Sequence, residues 1–333
     1  AKGLTGNYDA NSWYGTANPS GGYTNTPVGS IVNNGLLQTV TTGLTTISNG
    51  FTNTGTLRIG TGTAANLNIT SDTGDINLGG TVQGSSSSAG INAAQLSTTT
   101  SGNINVSAPL TISGSGASDA TTPFVANAEN TGNVSISAPL TLTATANGDG
   151  ATLYQVTGNN ITLSANQTIS SSEGTNSYQP DALLKLNGNN PGTVTIGAGS
   201  TLTAGDVKVT GTPALTNLVA DGNIMTTNYA DQPSTMTDGR FTFTGNNISG
   251  SGAGTITAQM FDLSVMGNVR KSQADLTNNF WSNGLVLASE GTQPNLNIYA
   301  DGNGPQFINL RVNGSITVNS ATPNGPDFSG TTL

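Results

Sequence analysis

The sequence predicts an all-β protein that folds as a single-stranded parallel β-helix, or β-solenoid, with coils of about 20–33 residues. Three observations lead to this prediction. Near-copies of one segment return about every 30 residues, each copy alternates apolar and polar residues, and only 8% of the 333 residues are charged. A typical soluble domain carries about 25% charged residues, and exposed helix faces are rich in Glu, Lys and Arg. A helical protein is therefore excluded.

The composition also excludes several classes of chemistry. The chain contains no His and no Cys, and its formal net charge is −9. Without these side chains there is no imidazole base, no Ser-His-Asp or Cys-His nucleophile, and no thiolate or imidazole metal site. The acidic balance argues against nucleic acid as a partner, and no apolar run approaches the roughly 20 residues that a membrane helix needs. We expect a non-enzymatic protein without a membrane span.

The N-terminal residues 1–27 form a separate aromatic segment that does not alternate. Its aromatic residues, and Phe328 of the C-terminal tail 321–333, are the candidate assembly residues: Tyr8, Trp13, Tyr14, Tyr23 and Phe328. The ends of a solenoid expose unpaired strand edges, which need a cap or a partner. The segment is therefore either a cap or an arm that docks on a neighbouring subunit. The docking hypothesis predicts that deleting residues 1–27 abolishes polymerisation.

The solenoid itself is predicted over residues 28–320. Ser101–Ile112 returns as Thr131–Leu142, and a third copy runs from Asn159 to Ile169. Equivalent positions, taken after the glycine or at Asn160 of the third copy, lie 28, 30, 27 and 33 residues apart: Asp75, Asn103, Asn133, Asn160 and Thr193. Alternation with period two and Gly/Asn/Ser boundaries is typical of strands. A unit of this length cannot bury its apolar face alone, so successive units must stack.

Three segments of this region carry a family resemblance. Gly102–Ile112, Asn159–Ala165 and Asn53–Leu57 resemble the repeats of filamentous-haemagglutinin-like exoproteins and autotransporter passengers. The resemblance is compositional and covers much of residues 50–205. It implies a right-handed parallel β-helix that is exported and displayed as an adhesin or a fibre.

Residues 206–292 depart from the regular spacing and are predicted to be an insertion or a set of wider coils. They contain all four Met residues, together with Arg270, Lys271 and Trp281. These last three residues are a candidate ligand patch for a sugar or a protein. The alternative is that the Met and Phe residues of this region pack in the core.

Two further patterns suggest sites, and each has a simpler explanation. Asn147–Gly150 and Asp301–Gly304 resemble fragments of calcium-binding turns, but tight turns use the same residues because these tolerate positive φ. No cofactor is therefore expected, with Ca²⁺ as the alternative. Asp72 and Asp75 flank a turn, and paired carboxylates can hydrolyse glycosidic bonds. Because acids occur at nearly one per coil, no catalytic residue is predicted.

These observations favour a secreted structural surface protein that self-assembles into an extracellular fibre, sheath or layer, such as one of a biofilm. Copies would join head to tail through the solenoid ends and the terminal arms. The chain begins with Ala1 rather than Met, as expected after signal-peptide cleavage of a cell-surface protein. The main alternative is an adhesin passenger or stalk that binds glycans or cells. A polysaccharide-acting enzyme and an ice-binding solenoid, the latter suggested by Thr-rich strands such as Thr141-x-Thr-x-Thr145, are further alternatives.

Overall fold

The computed structural model is an all-β structure in which parallel strands stack as a β-solenoid. It describes residues 6–7, 29–38, 44–59, 66–84, 90–114, 122–144, 152–171, 181–188, 191–227, 239–250, 254, 256–258, 260–265, 285–288, 295–300, 307–312 and 315–317. Within these ranges the chain forms strands and no helix.

The strands are short and are separated by polar corners. In chain order they are β1 (Gly6–Asn7), β2 (Ile31–Asn33), β3 (Leu36–Gln38), β4 (Leu44–Ser48), β5 (Phe51–Asn53), β6 (Thr56–Ile59), β7 (Asn66–Ser71), β8 (Ile76–Leu78), β9 (Thr81–Gly84), β10 (Ala93–Thr98), β11 (Ile104–Val106), β12 (Leu110–Gly114), β13 (Phe124–Ala128), β14 (Val134–Ile136), β15 (Leu140–Ala144), β16 (Thr152–Gly158), β17 (Ile161–Leu163), β18 (Gln167–Ser171), β19 (Asp181–Leu186), β20 (Gly192–Ile196), β21 (Thr201–Ala204), β22 (Val207–Thr210), β23 (Thr216–Ala220), β24 (Asn223–Thr226), β25 (Arg240–Gly245), β26 (Asn247–Ser249), β27 (Ile256–Thr257), β28 (Met260–Val265), β29 (Leu285–Ala288), β30 (Asn295–Ala300), β31 (Phe307–Val312) and β32 (Ser315–Thr317).

Successive strands visit three faces in a fixed order, and every third strand belongs to the same face. The first face is a nine-stranded sheet from β2 to β26, and the third face is a ten-stranded sheet from β4 to β31. The second face consists of the four-stranded sheet β1-β3-β6-β9 and the six-stranded sheet from β12 to β27. A bridge between Ile91 and Ile112 lies between these two sheets. Strands β29, β30 and β32 form a separate small sheet in which β29 and β30 are antiparallel.

The register of the first face gives the coil lengths directly. Neighbouring strands of this face are parallel, and the same position is aligned from coil to coil. The shortest step, from Asn33 to Asn53, is 20 residues, and the longest, from Asn160 to Thr193, is 33 residues. The predicted fold class is therefore confirmed, and the predicted coil length holds along the first face; in the second face Thr168 and Thr203 pair 35 residues apart, and in the third face Val265 and Val312 pair 47 residues apart.

The interior is a set of stacked apolar columns. Strands β8, β11, β14 and β17 share one burial pattern, in which the two outer positions are buried and the middle position is half-buried. In the third face Phe124 and Tyr154 stack with ring centroids 5.0 Å apart. Since each coil contacts only its neighbours, this continuous core is what holds successive coils together.

The structure describes only parts of the two regions that are predicted to depart from the regular repeat, residues 1–27 and 206–292. Of the N-terminal segment 1–27 only β1 is described, and it pairs in parallel with β3. Within 206–292, β22 to β28 continue the three faces. Phe241 and Phe243 of β25 are fully buried, whereas Met225 of β24 is 44% exposed. The C-terminal tail 321–333 lies outside the described residues.

Candidate assembly surfaces and side-chain ladders

A ladder of amide side chains runs along the corner that precedes the first face. Asp75 Oδ1 accepts hydrogen bonds from the backbone N–H of Asn103 at 2.7 Å and from its Nδ2 at 3.1 Å. Asn103 Oδ1 accepts the same pair from Asn133 at 3.0 and 3.1 Å. Asn133 Oδ1 does so from Asn160 at 3.1 and 2.9 Å, and Asn160 Oδ1 accepts from the backbone N–H of Thr193 at 3.0 Å. The equivalent positions found in the sequence are therefore successive rungs of one ladder.

A glycine precedes four of the five rungs, with Asn159 before the other, and this glycine has a steric reason. A Cβ on Gly132 would overlap the carbonyl oxygen of Gly102, and a Cβ on Gly102 would overlap that of Gly74. Gly102 also has φ of +120°, which side-chain-bearing residues rarely adopt. The Gly-Asn pair of the repeat thus combines close backbone stacking with a side chain that links two coils.

A second, buried amide pair lies at the other end of the first-face strands. Asn33 Nδ2 donates to Asn53 Oδ1 at 2.7 Å, and both side chains are 1% exposed. Asn53 Nδ2 donates in turn to the carbonyl oxygens of Gly55 and Gly79. In the next coil the same column continues with Leu78. Sequence reasoning missed this pair, although the Asn-x-Gly spacing repeated at Asn33 and Asn53 is a signal that could have found it.

Two of the three faces carry almost no charge. No strand from β2 to β26 in the first face contains Asp, Glu, Lys or Arg, and the described strands of the second face contain only Arg58. The other charged strand residues lie in the third face: Asp181, Lys185, Lys208, Arg240, Asp262 and Arg311. Neutral surfaces lack the like-charge repulsion that keeps soluble proteins apart, so the first and second faces do not oppose association.

The second face presents a threonine column to solvent. Thr111, Thr141, Thr168 and Thr203 pair in register on successive coils, and the next position is Met225. The first three are exposed. Within the part of the chain that the structure describes, their hydroxyl groups make no hydrogen bond. By contrast, the hydroxyls of Thr99 and Thr100 both donate to Asp72. The column is therefore an array of hydroxyl groups available to a ligand.

The two carboxylates considered for glycosidic chemistry are part of coil-to-coil contacts. Asp72 Oδ1 accepts hydrogen bonds from Thr100 Oγ1 at 2.7 Å and Thr99 Oγ1 at 3.0 Å. These bonds hold the pKa of Asp72 below its ordinary value of 3.8. Asp75 is the first rung of the amide ladder. A general acid needs a raised pKa, so Asp72 is not suited to that role.

The remaining predicted sites lie outside the described residues. These are the assembly residues Tyr8, Trp13, Tyr14, Tyr23 and Phe328, the ligand patch Arg270, Lys271 and Trp281, and the two calcium-like turns at 147–150 and 301–304. Within the described ranges no three His, Cys, Asp or Glu side chains form a group that could hold a metal ion. Nor does that part of the chain contain a helix long and apolar enough to cross a membrane.

The comparisons with known proteins return no match. Neither a model of a protein family, nor a curated protein, nor a solved structure is similar to this chain at a significant level. The parallel β-solenoid is therefore established by the structure alone, and membership of a particular β-helix family is not shown.

Proposed function

We propose that the chain is a structural subunit of an extracellular fibre, sheath or surface layer, and that copies associate through the ends of the solenoid. The observation that carries the proposal is the open end of the first face. Its sheet ends at β2 on one side and at β26 on the other, and no other described strand pairs with the outer edge of either. Exposed parallel edges are templates for a strand of another chain.

The surface of the described coils supports the same conclusion. The first and second faces have stacked Asn, Ser and Thr side chains where most soluble proteins have mixed charges. A contact between two different ends of the molecule is heterologous, so it propagates into a filament rather than closing into a dimer.

Exposure on the cell surface, after cleavage of a signal peptide, is the second part of the proposal. A chain without Cys needs no disulfide to be stable outside the cell, and the β-solenoid agrees with the resemblance to filamentous-haemagglutinin-like exoproteins and autotransporter passengers. The terminal arms belong to the proposal as well, because β1 lies on the edge of β3 and so controls access to one end of the second face.

Electron microscopy and analytical ultracentrifugation over a range of protein concentrations test the proposed function. We expect rods at low concentration and filaments as the concentration rises. The axial repeat should be at least about 48 Å, the length of the ten-stranded third face at a strand spacing of about 4.8 Å. Single rods at every concentration would contradict the proposal. Binding to glycan arrays and to cells would then be the next measurement, because an adhesin stalk needs no self-association.

A second candidate function, binding to ice, is favoured by the threonine column alone. Hydroxyl groups repeat along this column at the strand spacing of about 4.8 Å, and the six strands from β12 to β27 contain neither a charge nor an aromatic ring. Aromatic rings are what a sugar-binding surface would be expected to offer for stacking. An assay of ice recrystallisation tests this candidate: Thr141→Tyr should abolish the inhibition shown by the unmodified protein, and an unmodified protein without inhibition would exclude it.

A further inference from the structure

One corner carries the glycine and the asparagine of the ladder in reverse order. A typical rung follows its glycine, as in Gly102-Asn103, whereas the corner before β5 has Asn49-Gly50, the reversed pair. The carbonyl oxygen of Gly50 accepts a hydrogen bond from the N–H of Ile31, as that of Asn103 does from the preceding coil. Gly50 therefore occupies a rung position without a side chain. Asn49 directly precedes it and is exposed.

The backbone nitrogen of Gly50 lacks the hydrogen bond that the later rungs make. The N–H groups of Asn103, Asn133 and Asn160 each donate to the side chain of the rung before. The rung before Gly50 is Ser30. No hydrogen bond joins the N–H of Gly50 to Ser30 or to any other residue that the structure describes. An unbonded nitrogen thus directly follows an exposed side-chain amide.

We propose that Asn49 is a site of spontaneous deamidation in the folded protein. The nitrogen of Gly50 attacks Cγ of Asn49, and the new C–N bond closes a succinimide ring. The bond from Cγ to Nδ2 breaks, and Nδ2 leaves as ammonia with the proton of the Gly50 N–H. Water then adds across one C–N bond of the ring and leaves aspartate or isoaspartate at this position. The inference is independent of the proposed function, since it needs only this corner and water.

The asparagines of the ladder are protected from the same reaction. Asn103, Asn133 and Asn160 are each followed by Ile or Val, whose branched side chains crowd the nitrogen that would attack. The N–H groups of Ile104 and Val134 also donate to the neighbouring coil, both at 2.9 Å. Ring closure at these rungs would require the pairing between two coils to open first.

The two other Asn-Gly pairs that the structure describes are held by hydrogen bonds. The N–H of Gly35 donates to Asn33 Oδ1 at 3.2 Å, which engages the nitrogen that would attack Asn34. Asn187 Nδ2 donates to the carbonyl oxygen of Ala128 at 2.6 Å, which holds that amide away from the following glycine. Each of these pairs must break a bond before a ring can form. The reversed pair has no such bond to a described residue.

Peptide mapping by mass spectrometry tests the site. The full chain is incubated in mildly alkaline buffer, and conversion of each asparagine is followed by the mass increase that replacement of NH2 by OH causes. Breaking one hydrogen bond costs free energy of the order that changes a rate tenfold, so Asn49 should be converted at least about tenfold faster than Asn34 and Asn187. In guanidinium chloride the three sites should be converted at similar rates, because the bonds that distinguish them are lost.

Gly50→Ala tests the attacking nitrogen. A Cβ at this position would lie 3.4 Å from Ser30 Oγ and 3.6 Å from the carbonyl oxygen of Asp75, so the variant should fold. Glycine permits a close approach of the backbone that a Cβ obstructs. Conversion of Asn49 should therefore be largely lost over the same incubation, while conversion of Asn34, the internal control, is unchanged.

Three results would overturn the inference. Equal rates at Asn49 and Asn34 in the folded protein would mean that the corner gives no selectivity. Conversion of Asn49 in denaturant alone would mean that the folded corner keeps the amide and the nitrogen apart. Undiminished conversion in folded Gly50→Ala would show that the nitrogen of Gly50 is not the attacking group.

Discussion

At the scale of single residues, Tyr154 is the least expected member of the core. Its ring stacks on Phe124 and is fully buried. Within the described residues its hydroxyl has no hydrogen-bond partner, and burial raises the pKa of the phenol well above its ordinary value. A buried hydroxyl without a partner has lost its hydrogen bonds to water, and nothing in the core replaces them.

Tyr154→Phe should therefore stabilise the protein. It keeps the stacked ring and removes the unpaired hydroxyl, so we expect the free energy of unfolding to rise by about 1 kcal/mol. Urea denaturation followed by circular dichroism measures this. Tyr154→Leu is the control that removes the ring stacking as well, and it should destabilise the protein. A lower stability for Tyr154→Phe would mean that a bound water satisfies the hydroxyl.

Asp72 should make the free energy of unfolding depend on pH in the acid range. Hydrogen bonds from Thr100 and Thr99 lower its pKa in the folded state from the ordinary value of 3.8. A lowered pKa means that the folded state favours the ionised form, so the contribution is complete above about pH 5 and is lost as the pH falls through the lowered pKa.

The measurement is the thermal midpoint of the unmodified protein and of Asp72→Asn between pH 7 and pH 2.5. The unmodified protein should be the more stable of the two near neutral pH, and the difference should shrink below pH 3.8. Thr100→Val, which removes the first donor, should reduce the difference at neutral pH. A difference that is constant over the whole range would show that the carboxylate is not stabilised by these hydroxyls.

At the scale of structural elements, the corner ladder links coils in which the first-face strands β8, β11, β14 and β17 are only three residues long. Asn133 is its central rung, with two hydrogen bonds to Asn103 Oδ1 and two from Asn160 to its own Oδ1. Asn133 is exposed, so water can replace part of what a substitution there removes.

Asn133→Ala should lower the free energy of unfolding by about 0.5–1.5 kcal/mol, because it deletes the side-chain acceptor and donor of one rung. Ser135→Ala in the adjoining β14 is the matched control, since that side chain faces outward and makes no hydrogen bond to any residue that the structure describes. It should change the stability by less than about 0.5 kcal/mol, the usual effect of a surface substitution. Equal effects in urea denaturation would show that the ladder adds nothing beyond strand pairing.

At the scale of the whole molecule, the two interpretations of the N-terminal segment predict different effects of its deletion. Strand β1 pairs with β3 of its own chain, as a cap would. Deletion of residues 1–27 uncovers this edge, so we expect filaments to form at a lower protein concentration while the circular dichroism stays rich in β structure. Deletion of residues 1–5, which leaves β1 in place, is the control and should behave as the full chain does.

Loss of filament formation after this deletion would support the other interpretation of the segment. A truncated chain that folds and no longer polymerises would favour an arm that docks on a neighbouring subunit. Light scattering during assembly, with electron microscopy of the end point, separates the two results.

Much of this architecture can be predicted from the sequence because it depends on local chemistry. The period-two alternation in Ile104-x-Val106 and Val134-x-Ile136 predicts strands, and the returning pairs Gly102-Asn103 and Gly132-Asn133 predict where those two coils begin. Successive side chains of a strand point to opposite faces, and a corner that packs backbone on backbone favours glycine. The sequence by itself therefore determined the fold class, the coil length along the first face and the equivalent positions that form the ladder.

The tertiary structure decided what these coils present to other molecules. Paired strand positions 20 to 35 residues apart stay aligned because the corners absorb the extra residues. The alignment of Thr111, Thr141, Thr168 and Thr203 follows from that. Val32 occupies the same position as Thr52 in the next coil, but it lies at the open end of the sheet. Whether such an outward side chain has a neighbouring coil on both sides depends on how far it lies from the end of the stack. A local sequence pattern does not contain this distance.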